Sequence, residues 1–325
     1  MRCDRFLPYA AAAIALTAHA PLSAAPVVVT PPAPVVELLD PGAEPRAPLR
    51  IEPAQGTTQA VVFALDTAMA QELDGEPFID VDLPTIHQLM TASVETVDLD
   101  GAYTVRSIIE DVWLEDPEPG EDPLVRASME EAIDSATGLH VVVHSDARGV
   151  AHSLTIEADD RRDDPTSQEI QELSRQIQQI MPPLPIEAVG VGARWRVTTR
   201  GVINGVPMKA VSTFALTERR GSVVTLESTA EIGLPGDGPE PLDVADAGEI
   251  ATTVESLEGA GAGRIVFDLT RPMPVSADAS STVVSELSID IPGGEHVTSR
   301  IKMELRIAIT PAEDPPSEPG RPRPR

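Results

Sequence analysis

Between Arg300 and Thr310 the chain alternates without a break. Ile301, Met303, Leu305, Ile307 and Ile309 fall on one side, Lys302, Glu304 and Arg306 on the other. A period of two over that length fits a strand with one face in the core and one in water, which is the habit of antiparallel sheets. Shorter alternations recur at Ile265/Phe267/Leu269 and at Leu287/Ile289/Ile291. The chain therefore has to build an antiparallel sheet first and fit everything else around it.

Turn chemistry sets the strand pairing. Asp98-Leu99-Asp100-Gly101, Asp146-Ala147-Arg148-Gly149 and Glu218-Arg219-Arg220-Gly221 each place glycine last. There a type I turn followed by a bulge residue needs positive φ. Asn204-Gly205 contains the only asparagine of the chain and is a two-residue hairpin signal. Counting outward from it pairs Ile203 with Val206, Val202 with Pro207 and Trp195 with Phe214. Counting from a loop at Arg219–Gly221 pairs Leu216 with Val224 and Phe214 with Leu226. Trp195, Phe214 and Leu226 then form one apolar row across three strands, the candidate binding surface for an apolar ligand.

Two helices are expected among the strands. Asp122-Pro123 supplies an N-cap and a first-turn proline, Val125, Met129, Ala132, Ile133 and Ala136 make a stripe, and Gly138 ends it. Thr166-Ser167-Gln168-Glu169 opens the second as a capping box, with Ile170, Leu173, Ile177 and Ile180 inward and Pro182-Pro183 as the stop. One apolar stripe on each predicts that each lies across a face of the sheet.

The ends of the chain point to export. Arg2 and Arg5 precede an apolar run from Phe6 to Ala20, and small residues surround Ala24-Ala25-Pro26. This is the pattern of a cleavable signal peptide over 1–25; the run is too short, and too broken by Pro8 and His19, to serve as a membrane anchor. Cys3, the one cysteine, lies ahead of the run, where it is not placed for lipid anchoring, and the remaining chain has no disulfide to form. Residues 26–48 carry seven prolines, Pro26 to Pro48, and are expected to be an extended linker. Residues 49–310 are expected to be a single β-rich domain and 311–325 a disordered tail. The expected compartment is the periplasm or the cell exterior, with no membrane span after cleavage.

Charge narrows the partners. With 24 basic and 52 acidic side chains the net charge is −28, a field that repels nucleic-acid phosphates and anionic head groups. Aromatics are 3% of residues, which leaves few platforms for stacking bases or sugars.

At Leu184-Pro185-Ile186-Glu187-Ala188-Val189-Gly190-Val191-Gly192-Ala193-Arg194-Trp195 the sequence resembles a large uncharacterised family of bacterial exported proteins and lipoproteins. That family shows a leucine-proline, a Val-Gly-x-Gly stretch and a tryptophan opening a strand, with a helix before and long hairpins after. Gly259-Ala260-Gly261-Ala262-Gly263, followed by Ile265, Phe267 and Asp268, resembles its later glycine-rich segment. Ala188 stands where the family usually has proline. The resemblance implies a fold similar to the half-barrel of periplasmic lipoprotein carriers of the LolA/LppX type: a curved antiparallel sheet with helices across its concave side. It brings no catalytic residue with it.

Other constellations have a plain structural reading beside the functional one. His144 and His152, with His140 nearby, are the metal candidates. Ser145 paired with Ala151 would set His144 opposite His152, beside Val142, Leu154 and Ile156, but no cysteine or placed carboxylate completes a site. Gly259–Gly263 lacks the Gly-Lys-Ser/Thr ending of a phosphate loop and reads as a bulge or hairpin turn. Gly190-Val191-Gly192 is not followed by the helix a dinucleotide site needs. Glu110-Asp111, adjacent on a strand, face opposite ways. Asp159-Asp160-Arg161-Arg162-Asp163-Asp164 has no calcium-loop spacing, and no Gly-x-Ser-x-Gly occurs.

The sequence thus predicts a mainly β (α+β) protein with a curved antiparallel sheet and two helices packed on one face. It is expected to be non-enzymatic and to need no cofactor. The leading role is binding or carrying an apolar small molecule or lipid. A structural or interaction module docking an envelope protein is the second reading, and a hydrolase the third.

Overall fold

The structure, a computed structural model, describes residues 27–117, 122–134, 137–158, 181–203, 206–236, 238–242, 251–291 and 295–312. In chain order the strands are β1 Val27–Val29, β2 Val35–Asp40, β3 Thr58–Leu73, β4 Glu76–Val97, β5 Tyr103–Leu114, β6 Leu139–Ser145 and β7 Ala151–Ala158. They continue as β8 Arg194–Ile203, β9 Val206–Arg220, β10 Val223–Gly233, β11 Glu240–Leu242, β12 Ala251–Asp268, β13 Ser276–Ile291 and β14 Glu295–Pro311. One helix, α1 Pro123–Asp134, is found among the described residues. The second expected helix, over 166–180, lies outside them, as does the charged run at 159–164.

All strands join one antiparallel sheet in the order β1-β7-β6-β5-β4-β3-β14-β13-β12-β10-β9-β8-β2, with β11 beside β12. The two ends of that order, β1 and β2, are consecutive in the chain. Eleven strands from β7 to β8 would span about 48 Å if laid flat at roughly 4.8 Å per step. Val29 and Val35 stand six residues apart, a reach of about 21 Å at most. The sheet therefore curls until one short segment touches both of its edges. Residues 27–40 are a strap across the seam, not the separating linker expected from their prolines. The physical reason is that an edge strand offers only one side for pairing, so prolines that cannot donate are tolerated there.

The inner face is filled at one end. Tyr103, Val105, Val61, Phe63, Ile309, Phe267, Leu226, Leu216, Phe214 and Trp195 point inward there. Three connecting segments close over them with Leu49, Ile51, Leu184, Val189, Leu269 and Met273, all buried. Arg50 ties two of these segments together, donating to the carbonyls of Leu49 (2.6 Å), Pro185 (3.0 Å) and Ile186 (2.6 Å). The Gly-rich stretch beside them has a steric cause. A Cβ on Gly190 would lie 1.7 Å from the Ala43 carbonyl oxygen, and Gly192 has φ +87°.

A second inward cluster, Ile109, Val112, Leu139, Val141, Leu154 and Ile156, receives Ile133 of α1, whose Met129 is 4% exposed. The helix lies across the inner face as expected. Asp122 caps it, accepting from the Leu124 N–H at 2.8 Å.

Gly259, Gly261 and Gly263 are neither bulge nor turn: they sit mid-strand in β12, on the inner face opposite Val283, Ser281 and Ala279. Cβ atoms there would come within 3.0 Å of the Val283 side chain, 3.1 Å of Ser281 Cβ and 2.9 Å of Ala279 Cβ. Facing Cβ atoms in an ordinary pair stand about 4.5–5.5 Å apart. The glycines mark a corner where the sheet folds more tightly than side chains would permit.

Candidate functional site

The Asn204-Gly205 turn itself falls outside the described residues, but the strands flanking it keep the expected register, with Ile203 opposite Val206, Val202 opposite Pro207 and Trp195 opposite Phe214. Trp195 is 0% exposed, stacks on Phe214 at 5.8 Å, and donates from Nε1 to the Pro183 carbonyl at 3.0 Å.

The next hairpin corrects the count. Its loop is two residues, Gly221 and Ser222, so Arg220 pairs with Val223 and Arg219 with Val224. A bulge beside Thr225 then restores parity, placing Leu226 opposite Leu216 and leaving Phe214 opposite Ser228. Leu226 stays on the same face but one step along, so the row is staggered. Gly101, Gly149 and Gly221 all have positive φ, 86°, 77° and 65°.

Beyond this row the inner face changes character. Ser212, Ser228 and Gly263 come next on β9, β10 and β12, then Ala230 and Gly261. On the facing wall Leu65, Met69, Val283, Met303, Leu305 and Ile307 point inward yet remain only half-buried. On the outer surface of β12, β13 and β14, Glu258, Arg264, Glu286, Lys302, Glu304 and Arg306 are charged and exposed. The long strands thus turn a half-buried, largely apolar face inward, next to the packed Trp195 row.

Tyr103 stands in the packed floor around that row, 2% exposed, and its hydroxyl has no hydrogen-bond partner among the described residues. Burial, with the charge of Asp146 adding to it, pushes its pKa well above the usual phenol value.

The histidine pair is rearranged by a bulge. Ser145 pairs with Ala151 as expected, but His144 pairs with Ser153 and His152 becomes the extra residue. The rings remain 6.1 Å apart, and the Thr104 hydroxyl lies 3.2 Å from His144 Nδ1. The inserted residue also sends Leu154 and Ile156 to the inner face, away from the histidines. No group of three metal-ligating side chains occurs among the described residues.

A similar irregularity sits at Glu110, which lies between Ile109, opposite Met90, and Asp111, opposite Leu89. Strict alternation therefore fails at Glu110-Asp111, where the sequence reading relied on it. On the same outer surface Arg106 bridges Glu95 at 2.5 Å and Glu157 at 2.6 Å. Those hydrogen bonds, first to Glu157 and then to Glu95, raise its pKa.

No protein-family model matches the chain, and no curated protein matches it. Among solved structures it overlaps a loop L8 deletion mutant of OmpT, an outer membrane protein of Vibrio cholerae. That match has 8% identity over 78% of this chain and 100% of the other, with a TM-score of 0.20. OccK11 (OpdR) of Pseudomonas aeruginosa aligns at 7% identity over 81% and 99%, with a TM-score of 0.21. OpdO of the same organism aligns at 7% over 81% and 98%, with a TM-score of 0.20. Overlaps at that level assign neither a fold family nor a role.

Proposed function

We propose that this protein is an exported, non-catalytic binding or carrier protein that holds an apolar small molecule or lipid inside its curled sheet. One observation carries the reading. Above the packed floor, Ile301, Met303, Leu305 and Ile307 of β14, with Leu65 and Met69 of β3 and Val283 of β13, are inward, apolar and half-buried, while the outward Lys302, Glu304 and Arg306 of β14 are charged and exposed. An apolar surface kept off bulk water but not packed to completion is suited to a ligand that completes it. A charged outer surface is the reverse of a lipid-facing barrel, which turns its apolar residues outward.

The test is titration with N-phenyl-1-naphthylamine, an uncharged dye that brightens in apolar surroundings. The expected result is saturation near one dye per protein, abolished by the inward change Leu305→Glu and retained by the outward change Glu304→Ala. Absence of saturable brightening in a folded protein would remove the reading.

A further inference from the structure

The seam is built unlike the other long ladders. β13 pairs with β14 from Ala277 to Ile291 and β10 with β12 along its whole length. Across the seam, among the described residues, β1 meets β7 at three positions, Val27–Ile156, Val28–Thr155 and Val29–Leu154. β2 meets β8 at five, from Val35–Thr198 to Asp40–Arg194, with an irregularity at Leu39. Between the two, Pro31, Pro32 and Pro34 have no N–H to give either edge.

The two ends of the strap are not equally held. Behind β2, the Gly42 N–H donates to Asp40 Oδ1 at 2.8 Å, and the Ala43 N–H to the Val191 carbonyl at 2.9 Å. The Gly190 N–H donates to the Pro41 carbonyl at 2.9 Å, Ala47 bridges Val189, and Leu49 is 0% exposed. β1 is held by its three pairs and by Val29 against the Leu154 cluster, while Val28 is 63% exposed.

The geometry points to β1 as a displaceable latch. It leaves β7 while β2 stays on β8, and the seam opens sideways onto the inner face beside Leu154 and Ile156. This lateral entry route rests on the proposed binding reading, because it supposes an apolar ligand to admit; the latch itself does not.

The experiment uses the chain carrying Cys3→Ser, with and without Val28→Cys and Thr155→Cys. These two positions face each other, and cross-strand Cα separations of about 4.5–5.5 Å fall within disulfide reach. In the unlocked protein, the alternate amides of 27–29 and 154–156 that donate across the β1–β7 pair should exchange hydrogen about a hundredfold faster, or more, than those of 35–38 and 195–198 that donate across the β2–β8 pair. Oxidation of the cysteine pair should restore their protection and slow N-phenyl-1-naphthylamine uptake about tenfold or more, with the bound amount at equilibrium unchanged.

Equal protection at both ends of the strap in the unlocked protein overturns the latch. Uptake at one rate whether locked or unlocked overturns the entry route while leaving the inner face as a site. If no dye binds in either state, the binding reading fails and the entry route falls with it, while the exchange pattern still decides the latch. Should the cysteine pair impair folding, Val29→Ser replaces it. That change loosens β1 alone, and it should speed exchange at 27–29 and 154–156 and accelerate dye uptake; unchanged exchange there overturns the latch.

Discussion

Replacing Trp195 by alanine tests the base of the fold directly. The side chain is fully buried, stacked on Phe214 and hydrogen-bonded to the Pro183 carbonyl. Truncating a large buried aromatic costs about 3–5 kcal/mol through lost transfer and cavity terms. The orphaned carbonyl pushes the value toward the upper end, since a buried acceptor left unmatched costs about 1–3 kcal/mol. Trp195→Phe separates the two contributions: it keeps an aromatic ring and loses Nε1, so about 1–2 kcal/mol is expected. Urea unfolding followed by circular dichroism is the assay. With a slope of about 3 kcal/mol per molar, a loss of 4 kcal/mol lowers the midpoint by about 1.3 M. In a Trp113→Phe background the Trp195 emission should be blue-shifted and resistant to acrylamide. A midpoint for Trp195→Ala within about 0.3 M of the parent would refute a packed floor at this row.

Gly190→Ala places a methyl 1.7 Å from the Ala43 carbonyl oxygen, a backbone atom. It should cost about 2–3 kcal/mol or more in the same urea assay, and an unchanged midpoint would mean that the two segments do not approach so closely. Tyr103→Phe removes a buried hydroxyl that has no partner among the described residues, so its thermal midpoint should equal or exceed the parent's; a clear loss would reveal a partner for that hydroxyl. Asp268 feels burial, which raises its pKa, but hydrogen bonds from Thr270 and Ser222 and the charge of Arg271 outweigh it and leave the pKa below the usual value. A depressed carboxylate stabilises the fold above its unfolded pKa and loses that contribution as pH falls through its folded one. Asp268→Asn should therefore lower stability at neutral pH and converge with the parent as pH falls through the depressed carboxylate pKa, and parallel pH curves would contradict this.

What was legible in the sequence follows from what side chains encode. The alternation of β14 and the Asn204-Gly205 register were readable because hairpin chemistry fixes a count, and Trp195 met Phe214 as a result. The count failed wherever the backbone inserted a residue. The irregularity opposite Thr225 moved Leu226 by a step, and the one at His152 turned Leu154 and Ile156 to the other face. Neither bulge residue is a glycine, so no residue type announced it. The β12 glycines were visible but ambiguous, because glycine serves a turn and a tight corner equally well. Prolines in 26–48 misled for a similar reason: extended backbone without donors describes both a linker and an edge strand. The curl of the sheet was not legible, because it follows from one short segment pairing with both edges and from a glycine corner that acts only once the strands are side by side.

The strap also sets an order of events. Residues 27–40 are synthesised before every other strand, yet Val28 must wait for Thr155 and Val36 for Val197. Until β7 and β8 exist, the first-made strands have no partner, and the growing sheet has two bare edges. Pairing at such sequence separation is slow, because the chain between must first be brought to order. Pairing of the strap has to wait for β7 and β8, and until it forms those edges are a template for association with other chains. A circular permutant that begins at β3 and carries the strap at its far end would make both edges before their cover, the reverse of the parent's order, and would leave no cover waiting. Comparing its yield of folded protein on synthesis with the parent's would measure what that waiting costs.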